Sequence, residues 1–158
     1  MEELSHMDEQ GRPKMVDVSG KPETKRIAVA KGLVKMQPAT FKRIKEGQIA
    51  KGDVLAVAKL AGIMAAKQTA HLIPLCHPIF IDEVEIDFDL DEKNSAVAIN
   101  ASTKSTGKTG VEMEALTAVA IAALTIYDMV KSIDRGARIE SVRLVKKSGG
   151  KSGEITLE

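Results

Sequence analysis

Apolar and acidic residues alternate strictly along one segment near the middle of the chain, residues 83–90. The apolar members are Val84, Ile86, Phe88 and Leu90, and each of them follows an acidic residue. Because the side chains of a strand point alternately to opposite faces, this pattern predicts a strand with one buried and one solvated face. The wider segment 82–92 contains seven acids and no lysine or arginine, so this strand should also resist edge pairing.

Similar patterns predict the remaining secondary structure. Further strands are predicted over residues 25–36, 95–103, 138–145 and 154–157. Helices are predicted from Pro38 to about residue 47, over about 54–70 after an N-cap at Asp53, and over about 111–133. Loops are expected at residues 73–78, 105–110 and 146–153, and a turn at 91–94 should join two strands as a hairpin.

The predicted order of elements is β-α-β-β-α-β. This order is typical of an α+β fold of the ferredoxin-like kind, in which one antiparallel sheet carries helices on one face. Residues 1–20 lack apolar periodicity and contain two glycines and a proline. We therefore expect a flexible N-terminal arm over residues 1–20 and a single ferredoxin-like domain over residues 21–158.

The last predicted helix contains an unusual stretch, residues 115–127, without any charged side chain. This stretch is too short for a membrane span, which needs about 20 apolar residues. A helix that is apolar on every side must be covered on every side. The cover is expected to come from a second subunit, with the N-terminal arm or the short first helix as the alternative.

Composition narrows the possible functions. The chain has 158 residues, 23 basic against 22 acidic side chains, and a formal charge of +1. A near-neutral chain with three Phe, one Tyr and no Trp is not expected to bind nucleic acid, which favours basic and stacking surfaces. The single cysteine cannot form an internal disulfide, and the N-terminus is polar and acidic. We therefore expect a cytoplasmic protein with no membrane contact.

Two glycine-lysine segments, residues 105–110 and 147–153, are candidates for anion binding. Neither is a Walker motif, because the first glycine of that motif is missing in both. Glycines still allow backbone N–H groups to approach an anion closely, and the lysines add positive charge. Each segment alone could be a solvated surface loop, but two of them in one small domain favour a phosphate-bearing ligand.

Charged residues at both ends of the last helix form a second group of candidates. Asp128 and Lys131 are spaced i,i+3 on one helix face, which is typical of an exposed ion pair but would allow acid–base chemistry if partly buried. Glu112 and Glu114 lie in the first turn, where the helix dipole alone explains them. Lys51 precedes another helix N-terminus, where a cation is electrostatically unfavourable, which mildly suggests a further purpose.

A proline-bounded loop, residues 72–78, contains Cys76 and His77 between Pro74 and Pro78. A histidine on such a restricted backbone suits hydrogen bonding or proton transfer. The rival interpretation is a zinc site formed by His71, Cys76 and His77, but no paired metal-ligand spacing supports it. Nucleophilic catalysis by a Cys–His pair is also disfavoured, because neighbours in sequence rarely face each other.

Six sequence blocks together resemble the MoaC family, the cyclic pyranopterin monophosphate synthases of molybdenum cofactor biosynthesis. They are MVDVS (15–19), KGDV (51–54), LIPLCHP (72–78), TGKTGVEMEALTA (106–118), ALTIYDM (123–129) and KSGGKSG (147–153). The resemblance extends from about residue 15 to 153. It implies conversion of 3′,8-cyclo-7,8-dihydroguanosine 5′-triphosphate to cyclic pyranopterin monophosphate with loss of pyrophosphate. It also implies a ferredoxin-like fold and a homohexamer of three dimers with active sites at the dimer interfaces.

The resemblance also implies roles for individual residues. The acid–base centre would be Lys51, Asp128 and Lys131. The substrate-binding residues would be Arg26, Lys67, Leu75, Cys76, His77, Glu112, Met113, Glu114 and Lys147, with Lys146 and Lys151 as further candidates near the triphosphate. No organic cofactor and no protein metal site are implied, although a divalent ion could arrive with the triphosphate.

Two other function classes stay open on the sequence alone. A non-catalytic nucleotide sensor with this fold would bind a triphosphate through the same glycine-lysine loops. A nucleotide hydrolase is disfavoured by the two failed Walker motifs. Outside residues 82–92 the chain has 23 basic against 15 acidic residues, so its lysines are expected to gather at one pocket for an anionic substrate.

Overall fold

A computed structural model describes residues 6–158, and these form one five-stranded antiparallel sheet with its helices packed on one side. The strands are β1 (Thr24–Lys35), β2 (Glu83–Asp91), β3 (Ala96–Gly107), β4 (Arg138–Ser148) and β5 (Ile155–Thr156). Their spatial order is β2-β3-β1-β4-β5. The first four strands have the order of a ferredoxin-like sheet, and the predicted α+β fold class is confirmed.

Four helices connect these strands. They are α1 (Pro38–Lys45), α2 (Val54–Lys67), α3 (Thr69–Leu72) and α4 (Glu112–Val130). α1 starts with proline at a position where the missing N–H costs nothing. α2 starts at the predicted N-cap, because the carboxylate of Asp53 accepts a hydrogen bond from the backbone N–H of Ala56 at 3.0 Å.

The core lies between the sheet and the helix pair α2 and α4. Along β1, alternate residues Ala28, Ala30 and Val34 are fully buried on the side that faces the helices. Gly32 completes this row, and a Cβ at that position would lie 2.6 Å from a methyl group of Val119 on α4. The row of small residues on β1 therefore lets α4 lie close to the middle of the sheet.

The two long helices are in equally close contact at Gly62 of α2. A Cβ there would lie 2.5 Å from a side-chain atom of Ile86 and 2.9 Å from the carbonyl oxygen of Ala118. The C-terminal end of α4 meets the residues that precede α2, since Lys51 contacts Asp128. α2 and α4 thus run antiparallel, and the end of α2 lies beside the start of α4.

Several predicted boundaries need correction. The loop predicted at 105–110 begins later, because β3 continues to Gly107 in register with β1. The loop predicted at 146–153 likewise begins later, because β4 pairs with β1 as far as Ser148. The helix predicted over 54–70 ends at Lys67, after which a separate short helix, α3, begins at Thr69. The ends of these elements depend on strand pairing and turn geometry, which the local pattern of apolar residues does not show.

The acidic strand β2 is an edge strand, where its charges discourage further pairing. The acidic members Glu83, Glu85, Asp87 and Asp89 are exposed, and Ile86 is fully buried. Leu90, however, is 38% exposed rather than buried, because it lies near the end of the strand beside an open cavity at the start of α2. The burial pattern is therefore confirmed only in the middle of this strand.

Part of the N-terminal arm can be described. Residues 1–5 of the predicted arm lie outside the described residues, and residues 6–20 follow the surface without a helix or a named strand. A small turn is stabilised by the Asp8 carboxylate, which accepts hydrogen bonds from the backbone N–H groups of Gln10 and Arg12. The flexibility of the arm stays a prediction.

α4 has the length and composition of a membrane-spanning helix, as the core helices of many globular proteins do. Ten of its nineteen residues are buried, and they are distributed along the helix between Glu114 and Val130. The uncharged stretch is therefore covered mainly by the sheet and by α2. The outer surface of the helix layer keeps an apolar patch, which we define as Val57, Leu60, Met64 and Leu124, each at least 40% exposed.

We predict that Gly62→Ala destabilises the fold. Overpacking costs about 1–3 kcal/mol and alanine regains roughly 1 kcal/mol of helix propensity, so the net loss should be at most about 2 kcal/mol. Urea denaturation at fixed protein concentration measures this change. Gly20→Ala is the control, since a Cβ there meets nothing within 4 Å. Greater stability of Gly62→Ala than of the wild type would contradict the described helix contact.

Candidate active site

A cavity of about 410 Å³ lies at the N-terminal end of α4. Its walls come from three segments of the chain: the N-terminal arm, the proline-bounded loop and the first turn of α4. The predicted site residues that line it are Leu75, Cys76, His77, Glu112, Met113 and Glu114. The structure therefore brings together blocks 72–78 and 106–118, which contain most of the predicted pocket residues.

Glu114 is the buried acid of this cavity, with only 4% of its surface exposed. Burial raises the pKa of its carboxyl to about 7, and the negative charge of Glu112 adds to the shift. At neutral pH this carboxyl is therefore divided between its protonated and ionised forms. Such a group can donate or accept a proton without a large energetic penalty.

His77 and Cys76 form the opposite wall. The Nε2 atom of His77 lies 2.7 Å from the carbonyl oxygen of Val16, so the ring donates a hydrogen bond to the N-terminal arm. The thiol of Cys76 is half-buried, and burial followed by the charge of Glu114 raises its pKa. The thiol is accordingly a poor nucleophile, in agreement with the sequence argument against a Cys–His pair.

Glu112 is held by a cation from the sheet. Its carboxylate forms a partly buried ion pair with Lys147 of β4. Gly110 makes room for this arrangement, because a Cβ there would lie 1.9 Å from a carboxylate oxygen of Glu112. One acid of the first turn is thus neutralised by a lysine, while the other, Glu114, forms no ion pair with any of residues 6–158 and carries the raised pKa.

Two further predicted cations lie at this end of the molecule. Arg26 is half-buried on β1, and its Nε donates a hydrogen bond to the carbonyl oxygen of Gly107 at 3.3 Å. Lys67 is exposed at the last residue of α2, beside the start of α4. Lys146, by contrast, forms an ion pair with Glu154, and Lys151 is exposed in the loop between β4 and β5.

A second charged cluster lies at the other end of α4. The carboxylate of Asp128 contacts the Nζ atoms of both Lys131 and Lys51, at 2.7 and 3.0 Å. The Lys51 ammonium also donates a hydrogen bond to the backbone carbonyl of Asp128 at 2.7 Å. All three side chains are roughly half exposed, so water reaches the Asp128–Lys131 pair in the single chain.

The charges of this cluster stabilise one another. Hydrogen bonds from Lys131 and then from Lys51 hold the pKa of Asp128 below its usual value. The same contact with Asp128 raises the pKa of Lys131. At neutral pH the cluster therefore holds an ionised carboxylate and a protonated Lys131, so this lysine is ready to act as an acid and not as a base.

The two clusters do not meet within one chain. Sixteen helical positions separate residues 112 and 128 of α4, which corresponds to about 24 Å along the helix axis. The expectation that the lysines gather at one pocket is therefore wrong for the single chain. Lys51 and Lys131 lie at one end of α4, and Lys108 and Lys147 lie at the other.

Sequence reasoning missed the contribution of the arm to the cavity. Val16 and Val18 of the arm line it, as do Lys21, Thr109 and Gly110 outside the arm. The Lys108 side chain fixes the arm further by donating a hydrogen bond to the carbonyl oxygen of Ser19 at 2.8 Å. Block 15–19 was part of the family resemblance, but nothing local in it indicated which side chains face a cavity.

In residues 6–158, no group of three or more His, Cys, Asp or Glu side chains is arranged to hold a metal ion. His71, Cys76 and His77, the residues of the rival zinc interpretation, do not form such a group.

Comparison with known proteins gives consistent results. A family model described as the MoaC family matches residues 15–150. A protein of Heliobacterium modesticaldum is 60% identical over 158 residues, which cover all of this chain and 99% of the relative. A protein of Thermoanaerobacter sp. is 63% identical over 150 residues, 95% of each chain. A third, from Thermomicrobium roseum, is 56% identical over 153 residues, 97% of this chain and 92% of the relative. All three relatives carry the name cyclic pyranopterin monophosphate synthase.

The raised pKa of Glu114 predicts a pH-dependent effect of Glu114→Gln on stability. Below about pH 4.5 the carboxyl is protonated in both the folded and the unfolded state, so burial carries no ionisation penalty. Between pH 4.5 and about 7 the unfolded chain releases this proton while the folded chain keeps it. The free energy of unfolding of the wild type should therefore fall, relative to that of Glu114→Gln, by up to about 3 kcal/mol across this range.

Urea denaturation of both proteins at a series of pH values measures this difference. Glu85→Gln, which removes an exposed carboxylate from β2, is the matched control. A difference between wild type and Glu114→Gln that is the same at pH 4.5 and pH 8 would show that folding does not raise the pKa of Glu114, and it would contradict this prediction.

Proposed function

This chain belongs to the MoaC family, whose members act early in molybdenum cofactor biosynthesis, and we propose that it has the family's enzymatic activity. The reaction converts 3′,8-cyclo-7,8-dihydroguanosine 5′-triphosphate to cyclic pyranopterin monophosphate and releases pyrophosphate. The observation that carries this proposal is the cavity at the start of α4, which is lined by a buried acid with a pKa near 7 and by Glu112, the ion-pair partner of Lys147. The small-molecule substrate is thus an organic triphosphate.

The triphosphate is bound by the cations at this end of the sheet. Arg26, Lys67 and Lys147 are the residues we assign to it. Formation of the cyclic phosphate requires attack of a sugar hydroxyl on the α-phosphorus while pyrophosphate leaves, and charge then develops on the leaving group. Fixed guanidinium and ammonium groups stabilise that charge. Lys151 is a weaker candidate at the entrance, and Lys146 is weaker still, because Glu154 already neutralises it.

The purine rearrangement needs several proton transfers, and two kinds of group supply them. Lys131 is held protonated by Asp128, so it serves as a general acid in the resting enzyme. Lys51 shares the same carboxylate and is its partner in proton exchange. Glu114, with a pKa near 7, can relay protons at the opposite side of the substrate, and His77 and Glu112 complete the polar wall.

The full active site requires a second copy of the chain. Lys51, Asp128 and Lys131 lie about 24 Å along α4 from the cavity, too far to act on a substrate held there. A two-fold axis that pairs the helix layers of two subunits antiparallel brings the end of one α4 to the start of the other. The exposed apolar patch of the helix layer, Val57, Leu60, Met64 and Leu124, supplies a surface suited to such contact.

This dimer also explains how the half-exposed acid–base cluster becomes desolvated. Contact with the partner's cavity would remove water from Lys51 and Lys131, which shifts a lysine toward its neutral form and makes it available as a base. Following the family resemblance, we propose that three such dimers form a hexamer. We also assign residues 21–158 to one catalytic domain and the protein to the cytoplasm, where the free thiol of Cys76 would stay reduced.

We predict that Lys51→Ala and Lys131→Ala each abolish turnover while the fold and the oligomer persist. Both lysines are roughly half exposed in the chain, so their removal leaves no cavity in the core. Activity is measured as pyrophosphate released from the cyclic triphosphate. Lys59→Ala is the control, because Lys59 lies on α2 and pairs only loosely with Asp87, at 3.8 Å.

Near-normal turnover in either variant would contradict the assignment of the acid–base centre. If the wild type binds the cyclic triphosphate but releases no pyrophosphate, the protein is a nucleotide sensor and not an enzyme. Release of inorganic phosphate from plain GTP would instead indicate a nucleotide hydrolase.

A further inference from the structure

Arg26 is a half-buried arginine whose charge is not neutralised by any residue in the described part of the chain. Its Nε atom donates one hydrogen bond, to the carbonyl oxygen of Gly107. Its Nη1 and Nη2 atoms form no hydrogen bond or ion pair with any of residues 6–158. A partly desolvated guanidinium with two free donor groups is suited to an anion that accepts two parallel hydrogen bonds.

Two glycines of the loop after β4 cover this guanidinium. Gly149 and Gly150 both adopt left-handed backbone conformations, with φ of 103° and 72°. A Cβ at position 150 would lie 2.0 Å from Nη1 and 2.8 Å from Cζ of Arg26. A Cβ at position 149 would lie 2.2 Å from the carbonyl oxygen of Lys25 and 3.0 Å from Cδ of Arg26. The guanidinium therefore lies directly against the backbone of this loop, in space that any side chain would fill.

The same loop directly follows Lys147 and Ser148 of β4, and Lys147 pairs with Glu112 of the cavity wall. Lys147 pairs in register with Ala28, which is the next residue after Arg26 on the same face of β1. The lysine turns toward Glu112, whereas the arginine is enclosed between Gly107 and the two loop glycines. An anion that reaches the free edge of Arg26 thus also lies close to Lys147.

We propose that Gly149 and Gly150 are positioning residues that fix the orientation of the Arg26 guanidinium for binding of a phosphate chain. The missing side chains let the loop close over one side of the guanidinium, while Nε is occupied by Gly107. The two remaining donors are then aligned before the ligand arrives, so little side-chain entropy is lost on binding. This inference rests on the proposed function, in which the anion is the substrate's triphosphate.

The two glycines differ in what a substitution would test. A methyl group at position 149 collides with backbone, so Gly149→Ala would disturb the fold itself. At position 150 a methyl group collides only with the movable end of Arg26, so Gly150→Ala should displace the guanidinium and leave the sheet intact. Gly153→Ala is the matched control, because it has a similar φ of 63° in the same loop but nothing within 4 Å.

The test is calorimetric titration of the full-length chain with inorganic tripolyphosphate. Relative to wild type, Gly150→Ala and Arg26→Ala should each weaken binding by at least about tenfold, since a lost charge-assisted contact has that effect. The double variant should bind no more weakly than Arg26→Ala, because the glycine acts only through the arginine. Gly153→Ala should bind within about twofold of wild type. The KM for the cyclic triphosphate should likewise rise in Gly150→Ala and Arg26→Ala, and it should stay near the wild-type value in Gly153→Ala.

The proposal is wrong if Gly150→Ala binds tripolyphosphate as tightly as the wild type, or if Gly153→Ala loses as much affinity as Gly150→Ala. It is also wrong if the loss of affinity in the double variant is the product of the two single losses. Failure of the wild type to bind tripolyphosphate would overturn it as well. If Gly150→Ala melts at a lower temperature than Gly153→Ala, the added Arg26→Ala must restore the melting temperature; failure to do so would also overturn it. The predicted binding pattern without any turnover of the cyclic triphosphate would support this inference and contradict the proposed reaction alone.

Discussion

α4 is buried along most of its length between the sheet and α2, and its two ends are therefore held about 24 Å apart. Small residues produce this rigid contact: Gly32 lets the helix approach β1, and Gly62 lets α2 approach the helix. A packed core of this kind cannot bend to bring the ends together. Each end carries one group of functional side chains. Because the helix keeps the two groups apart, neither group can complete the site within one chain.

The two groups differ in how firmly they hold their protons in the resting state. At the start of α4, Glu114 has a pKa near 7 because it is buried, while Lys147 neutralises its neighbour Glu112. At the end of α4, Asp128 is kept ionised and Lys131 is kept protonated by mutual contact. One group thus exchanges protons easily near neutral pH. The other holds its protons until burial by a partner changes the balance.

Sequence patterns predicted the fold class and the order of elements because alternation and apolar periodicity are local properties. The N-cap at Asp53 was predicted for the same reason. The ends of β3 and β4 were not, since they depend on pairing with β1 far away in sequence. The six family blocks predicted many of the residues around the cavity. The arm's contact with His77 and the packing of Arg26 against Gly150 could not be predicted, because each joins segments that are far apart in sequence. Local patterns could not show that Lys51 and Lys131 lie far from Lys147.

The most direct test of the two-subunit site is complementation between inactive variants. Lys131→Ala removes a residue from one end of α4, and Glu114→Gln removes one from the other. Co-expression of the two in equal amounts produces mixed dimers in which one of the two sites is intact. Random pairing predicts about a quarter of wild-type turnover in the mixed population. Turnover no higher than that of the separate variants would show that each site is built from one chain, and it would contradict this account.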